Sequence, residues 1–253
     1  MTMELGVLLA PINNPSQQKW IAEQATRFEA LGFNSLWAAQ AMGRGFMMTD
    51  PLLTLATAAA VTRTIRLGTA VLQLPLYATL ELAHRIFSLQ QLCGPRLNIG
   101  LGAGSTAADF RVAGKVYETR FSDFRDQHKA LKTALETGQH QGSDLSPWPN
   151  LLGGPPLYLG SWGNGVEMAA RNFDGWIASA HYRSTQEIIA AHTRYRGFGG
   201  NKAIVSTLQL PKGTDLGALR AQLLAFSDAG FDETALMFLP GGPKPEAVIQ
   251  LLD

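Results

Sequence analysis

Short apolar runs alternate along the chain with longer stretches whose apolar residues recur every three or four positions. Eight runs read as strands: ELGVLLA (4–10), NSLWAA (34–39), IRLGTAVL (65–72), RLNIGLG (96–102), PLYLGS (156–161), GWIAS (175–179), AIVSTLQL (203–210) and TALMFL (234–239). Helical spacing follows each of them. After the first run, in NPSQQKWIAEQATRFEALG, Trp20, Ile21, Ala25, Phe28 and Leu31 share one helix face, and Gly32 provides the stop. Asp50 and Pro51 supply the cap and first position of the next helix. Further helices are predicted near 79–92, 122–137, 164–172, 184–195, 215–229 and 244–252.

A strand followed by a helix, many times over, requires parallel crossovers. The junctions in EALGFNSLW and SDAGFDETALMF echo one another near the two ends of the chain, which favours one repeating unit over two unrelated domains. The expected fold is therefore α/β, a single-domain (β/α)8 TIM barrel over residues 1–253, with its active site at the strand C-terminal ends. An open doubly wound sheet is the competing architecture. The irregular stretch 138–155 lies before the fifth strand, on the opposite face, and is expected to be structural.

Composition narrows the partners. With 21 Lys and Arg against 20 Asp and Glu, the net charge of +1 gives no reason to expect nucleic acid or an acidic membrane surface. The single cysteine, Cys93, excludes an internal disulfide framework and reads as a small buried thiol. The start lacks the basic and apolar regions of a secretory leader, and no apolar run approaches the roughly 20 residues of a membrane span. A soluble, cytoplasmic protein is expected.

The chemistry concentrates at strand-to-helix junctions. LYLGSWGNGVEMAAR (157–171) carries three glycines in six positions, where Gly163 and Gly165 would expose first-turn amides to an anion, most simply a phosphate. A tight turn with no ligand accounts for the same glycines. GLGAGSTAADF contains a formal GxGxx(G/A) at 102–107, yet Asp123 and Asp126, at the spacing of a ribose-binding carboxylate, fall in a helical pattern. There is no GxSxG, HExxH or CxxC, so neither a serine nucleophile nor a sequence-local metal site is expected. His181 follows a strand end in IASAHYRS, on the catalytic face of a barrel, and is a candidate for chemistry.

The block IRLGTAVLQLPLYATLELAHRIFSLQQLCGPRLNIGLGAGSTAADFRVAGKVYETRFSDFRD (65–126), with TDPLLTLATAAAVTRTIRLGTAV and PPLYLGSWGNGVEMAARNFDGWIAS, resembles the luciferase-like flavin-dependent oxidoreductases, a family that includes bacterial luciferase. The likeness covers almost the whole chain in order. It implies a barrel holding FMN, or in one branch a deazaflavin, at the strand C-terminal ends. By resemblance, Ser161, Trp162, Gly163, Asn164 and Gly165 meet the cofactor phosphate, and Gly104 and Ser105 form the other side of that clamp. Thr69, Ala70 and Val71 match the end of strand three, where family members often carry a non-proline cis peptide against the flavin ring; here it would join Ala70 to Val71. Phe46, Met47 and Met48 are read either as an apolar wall or as ordinary loop packing.

Three departures bear on activity. Where many members place a histidine after strand two, this chain has WAAQAMG, leaving Gln40, which hydrogen-bonds but is no base near neutral pH. Ala103 stands where luciferase has an arginine, so backbone donors carry more of the binding. The long insertion after strand seven is absent. The resemblance implies a monooxygenase using reduced FMN and oxygen on a small organic substrate, with a separate flavin reductase as possible partner and Gln40 and His181 as candidate catalytic residues. A deazaflavin-dependent dehydrogenase or reductase and a non-catalytic flavin-binding protein are the alternatives. A homodimer is expected through the helices near 50–62 and 79–92, where ATAAAV offers small side chains.

Overall fold

The computed structural model describes residues 3–10 and 19–252. The beginning of the first predicted helical segment, through residue 18, lies outside the described residues. Eight parallel strands form the barrel: β1 (Glu4–Leu9), β2 (Ser35–Ala38), β3 (Arg66–Thr69), β4 (Leu97–Gly102), β5 (Leu157–Gly160), β6 (Gly175–Ser179), β7 (Lys202–Leu210) and β8 (Glu233–Phe238). Each pairs in parallel with its sequence neighbours, and β1 pairs with β8, so the sheet closes. The helices are α1 (Trp20–Ala30), α2 (Pro51–Val61), α3 (Thr79–Cys93), α4 (Ala107–Val112), α5 (Arg120–Thr137), α6 (Gly165–Asn172), α7 (Thr185–Gly197), α8 (Leu216–Asp228) and α9 (Pro245–Ile249).

Local chemistry sets the helix starts. Asp50 accepts from the amides of Leu52 and Leu53, ahead of Pro51. Ser184 and Glu187 form a reciprocal capping box on α7, and Asp215 accepts from Ala218 on α8. α4 is an addition that the apolar pattern does not show: six residues are too few to display a period. The 138–155 stretch holds a two-stranded hairpin and a 3-10 turn whose Leu151 is buried, which suits a structural role.

The core has two shells. The larger lies between strands and helices and includes Leu36, Leu55, Leu82, Ile99, Leu131, Trp176, Tyr195 and Phe226. The smaller fills the middle of the barrel with Leu8, Trp37, Tyr158, Ile177, Ile204, Ala235 and Met237. At the N-terminal end, Glu233 is buried and accepts from Ser35, Trp37 and Arg66, while Arg66 also bridges to Glu4. That polar plug carries its own hydrogen bonds and closes the bottom. At the C-terminal end the lining residues are small or partly buried, namely Ala10, Ala39, Ala70, Val71, Gly102, Gly160 and Leu239. Small side chains make up this upper layer, the cup end of the barrel.

Candidate active site at the barrel mouth

Strand three does not run on as a single strand from 65 to 72. It ends at Thr69 and resumes as Leu72–Gln73, which pairs with Leu101–Gly102 of β4. The register passes from Gly68 opposite Asn98 to Leu72 opposite Leu101, so β3 carries one extra residue, a bulge. Within it the Ala70–Val71 peptide is cis, as the resemblance predicts. Thr69 lies behind this bulge, fully buried. Its hydroxyl accepts from the Gly100 amide at 2.9 Å and donates to the Gly100 carbonyl at 2.8 Å. Val71 fits between two glycines: a Cβ on Gly102 would lie 2.8 Å, and one on Gly160 2.6 Å, from its methyl groups. Only glycine at both positions lets β4 and β5 accept the bulge.

The glycine-rich turn after β5 sits beside it, because β4 and β5 are paired neighbours. Gly163 has φ of 59°, a left-handed backbone that glycine adopts without strain. The structure divides the expected roles of the two glycines. The Gly165 amide is committed to the Trp162 carbonyl at 3.1 Å, whereas the amides of Gly163 and Asn164 have no acceptor among the described hydrogen bonds. Gly165 serves by its size instead, since a Cβ there would come 2.7 Å from Cβ of Ser161. Ser161 is thereby tucked against the first turn of α6, and its buried Oγ has no hydrogen-bond partner. Trp162 is half-buried, with the Arg183 guanidinium 4.9 Å over its ring. After the neighbouring β4, Gly104 has φ of 85° and packs against Gln73 and Phe110, while Ser105 is exposed and its carbonyl accepts from the Tyr117 hydroxyl.

Gln40 is held at both ends of its amide. Its oxygen accepts from the Gln73 amide at 2.7 Å and its nitrogen donates to the Tyr77 hydroxyl at 2.8 Å. Burial pushes the Tyr77 phenol well above its ordinary value, so it stays protonated. Gln40 thus ties the end of β2 to the segment after the bulge. His181 stands apart from these groups, exposed at the end of β6, with its amide on the Ser179 hydroxyl and its ring edge-on to Tyr182. Of the apolar loop, Met47 is 80% exposed, while Phe46 and Met48 are half-buried.

One residue that the motifs did not single out organises the loops. Asp109 is fully buried and accepts from the Met42 amide, from Arg44 and from Nε2 of Gln73, joining the segments after β2, β3 and β4. It lies in α4, the short helix that the apolar pattern does not show, so nothing in the sequence signalled its burial. The oxygen of Gln73 is buried and without a partner, as Ser161 Oγ is. Two orphaned polar atoms, two free amides and a glycine cradle at adjacent strand ends fit a ligand with an anionic group and a planar body.

The sequence model of a family described as luciferase-like monooxygenase matches residues 3–230. Among curated proteins, the chain is similar to 4-hydroxyprotoasukamycin monooxygenase of Streptomyces nodosus subsp. asukaensis. The two are 34% identical over 118 residues, covering 44% of this chain and 32% of that protein. It is also similar to limonene 1,2-monooxygenase of Rhodococcus erythropolis, 28% identical over 216 residues, covering 75% of this chain and 56% of that protein. The chain therefore matches well under two thirds of the length of either relative. Among solved structures, monooxygenase RslO1 from Streptomyces bottropensis superposes with a TM-score of 0.77 at 16% identity, covering 98% of this chain and 96% of that one. An F420-dependent secondary alcohol dehydrogenase superposes with a TM-score of 0.74, also at 16% identity, over 99% of this chain and 98% of its own. At these identities the structural matches establish a shared fold.

Proposed function

Because the chain belongs to the luciferase-like monooxygenase family, we propose that it is a flavin-dependent oxidoreductase, binding FMN at the barrel mouth and oxygenating a small organic substrate. The observation that carries this reading is the clamp: the orphaned Ser161 hydroxyl and the free amides of Gly163 and Asn164, set beside the Val71 cradle. When bound and reduced, the flavin supplies the electrons for oxygen chemistry that no side chain here provides. Everything else falls to the chain. Ser161, Gly163 and Asn164 would hold the phosphate, with Ser105 and Gly104 from the neighbouring strand end. Val71 and the peptide before it would support the ring, while Thr69 ties the end of β3 to Gly100 of β4. Gln40 acts as a positioning residue between β2 and the bulge, leaving His181 at the rim as the group able to move a proton. Ala10, Ala39, Met237 and Leu239 give the cup an apolar lining that excludes water.

The same clamp suits the phosphate of a deazaflavin, and the chain shares its fold with F420-dependent enzymes, so hydride transfer without oxygen is the second reading. Titration of the apoprotein with FMN and with the deazaflavin, followed by oxygen uptake of the reduced complex, distinguishes them. FMN binding with oxygen uptake that rises on adding substrate supports the monooxygenase. Selective deazaflavin binding without oxygen uptake supports the second reading, and binding of FMN without turnover a purely flavin-binding protein. Reduced flavin would come from a separate reductase. Leu53, Val61 and Leu92 on α2 and α3 are exposed, and we assign this face to a homodimer. Light scattering giving 27.3 kDa in place of twice that mass would refute the dimer.

A further inference from the structure

A second bulge lies across the barrel from the first, on β7. From Val205 opposite Thr234 the register jumps to Leu208 opposite Leu236, so Ser206 and Thr207 together face one residue of β8. Thr207 has φ of 60°, a left-handed backbone that a β-branched residue rarely adopts. The other two non-glycine residues with positive φ among those described, Gln141 and Ser146, sit in the 138–155 surface stretch, where turns explain them. Thr207 sits inside a barrel strand.

The consequence is a change of parity. Ile204 points into the barrel with the interior cluster, and strict alternation would send Ser206, Leu208 and Leu210 after it. The extra residue turns Leu208 and Leu210 outward into the shell beneath the helices. Gln209 takes the inward position instead. It is opposite Met237 of the interior cluster, with its Nε2 4.0 Å from the Met237 sulfur, and it remains exposed. Beside it the Ser206 and Thr207 hydroxyls lie 3.3 Å apart, and Ser206 pairs across to Ser179 of β6. The bulge replaces two leucines at the mouth with a neutral polar ledge. Bulges that re-aim a side chain cluster beside active sites, as do sparsely populated backbone conformations.

We propose that this ledge of Ser179, Ser206, Thr207 and Gln209 recognises the substrate. It rests on the reading that the cup holds flavin and substrate together. Hydroxyls and a carboxamide both donate and accept, and none carries a charge. The ledge therefore suits a neutral carbonyl or hydroxyl group on a hydrocarbon body, which would lie against Ala10, Ala39, Met237 and Leu239. A pure hydrocarbon would leave the ledge unpaired, and such polar sites discriminate strongly against analogues lacking the matching group.

Limonene and its ring ketone carvone share one ten-carbon skeleton and serve as probes. Their binding to the FMN-loaded protein is measured by the change in flavin fluorescence. Carvone should bind at least about tenfold more tightly than limonene, equivalent to about 1.4 kcal/mol. Gln209→Leu, at an exposed position, should reduce that preference to roughly threefold or less while leaving FMN affinity unchanged. Thr207→Gly suits the left-handed backbone and removes a hydroxyl, and it should lower the preference without loss of thermal stability. Equal affinity for the two probes, absence of carvone binding up to its solubility, or a preference untouched by either substitution would overturn the ledge while leaving the flavin reading standing. Failure of FMN to bind the unsubstituted protein would overturn the flavin reading itself.

Discussion

Ser161→Ala separates a ligand-binding hydroxyl from a structural one, because the two roles predict opposite signs. Ser161 Oγ is buried and no group of the chain pairs with it. A buried hydroxyl left unpaired costs about 1–3 kcal/mol, and alanine removes that cost while losing almost no apolar contact. Allowing for relaxation around the site, a gain of roughly 0.5–1 kcal/mol is expected, which raises Tm by about 1–4 °C in a chain of this size. Binding should move the other way. A hydrogen bond to a phosphate oxygen is worth about 1.5–3 kcal/mol, so FMN affinity should fall about ten- to hundredfold. Riboflavin lacks the phosphate and should bind both proteins alike. FMN at a hundred times its Kd adds about 2.7 kcal/mol of stability to the unsubstituted protein. The variant should therefore melt later without ligand and earlier at that FMN concentration. Thermal denaturation with and without FMN, together with fluorescence titration of both flavins, reads every arm. A variant that melts earlier without ligand and binds FMN unchanged would show that the hydroxyl is structural, and the clamp would lose its strongest support.

Gly163→Asp tests the same turn by charge. A Cβ there meets nothing within 4 Å, and aspartate tolerates a left-handed backbone, so the fold should survive while FMN affinity falls at least about tenfold by fluorescence titration. Gly165→Asp should also unfold the turn, since its Cβ would strike Ser161, and circular dichroism melting should show that difference. His192 is buried against Phe231 and accepts from Nε of Arg196; burial, then the Arg196 charge, lowers its pKa from 6.5 to about 4. Between those values the unfolded chain holds the extra proton, so stability is complete above about pH 6.5 and is lost as pH falls to about 4. The loss amounts to roughly 3 kcal/mol. Urea midpoints at pH 7.5 and 4.5 should differ less in His192→Gln than in the unsubstituted protein. Gly68→Ala would set a Cβ 2.4–2.9 Å from the Trp37 ring, and calorimetry should show a loss of about 1–3 kcal/mol if the barrel interior is as tightly packed as these distances require.

The repeating strand and helix pattern was legible from side-chain period alone, because each segment of a parallel barrel has a buried face whose spacing is local. Seven of the eight strand runs, the Asp50 cap and the helix after the glycine-rich turn are where that spacing places them, and the third run, 65–72, holds its strand only to Thr69 before the bulge. Two capping residues, Ser184 and Asp215, fall at the starts of the segments predicted near 184 and 215. The motif resemblance supplied the cis peptide position. Neither source reached the division of labour between Gly163 and Gly165, because which amide is free depends on where the Trp162 carbonyl points. Nor did they reach the burial of Asp109, whose partners Met42, Arg44 and Gln73 come from 36 to 67 residues away. Gln40 was legible as a residue that cannot act as a base, but its role as a brace needed Gln73 and Tyr77 brought beside it. The bulge on β7 was hidden for a similar reason. AIVSTLQL alternates well enough as a plain strand, and only pairing with β8 determines that two residues must share one partner. Period is a property of one segment and can be read along the chain; parity across a bulge, burial of a charge and the freedom of an amide are properties of what lies opposite, and only closure of the barrel decides them.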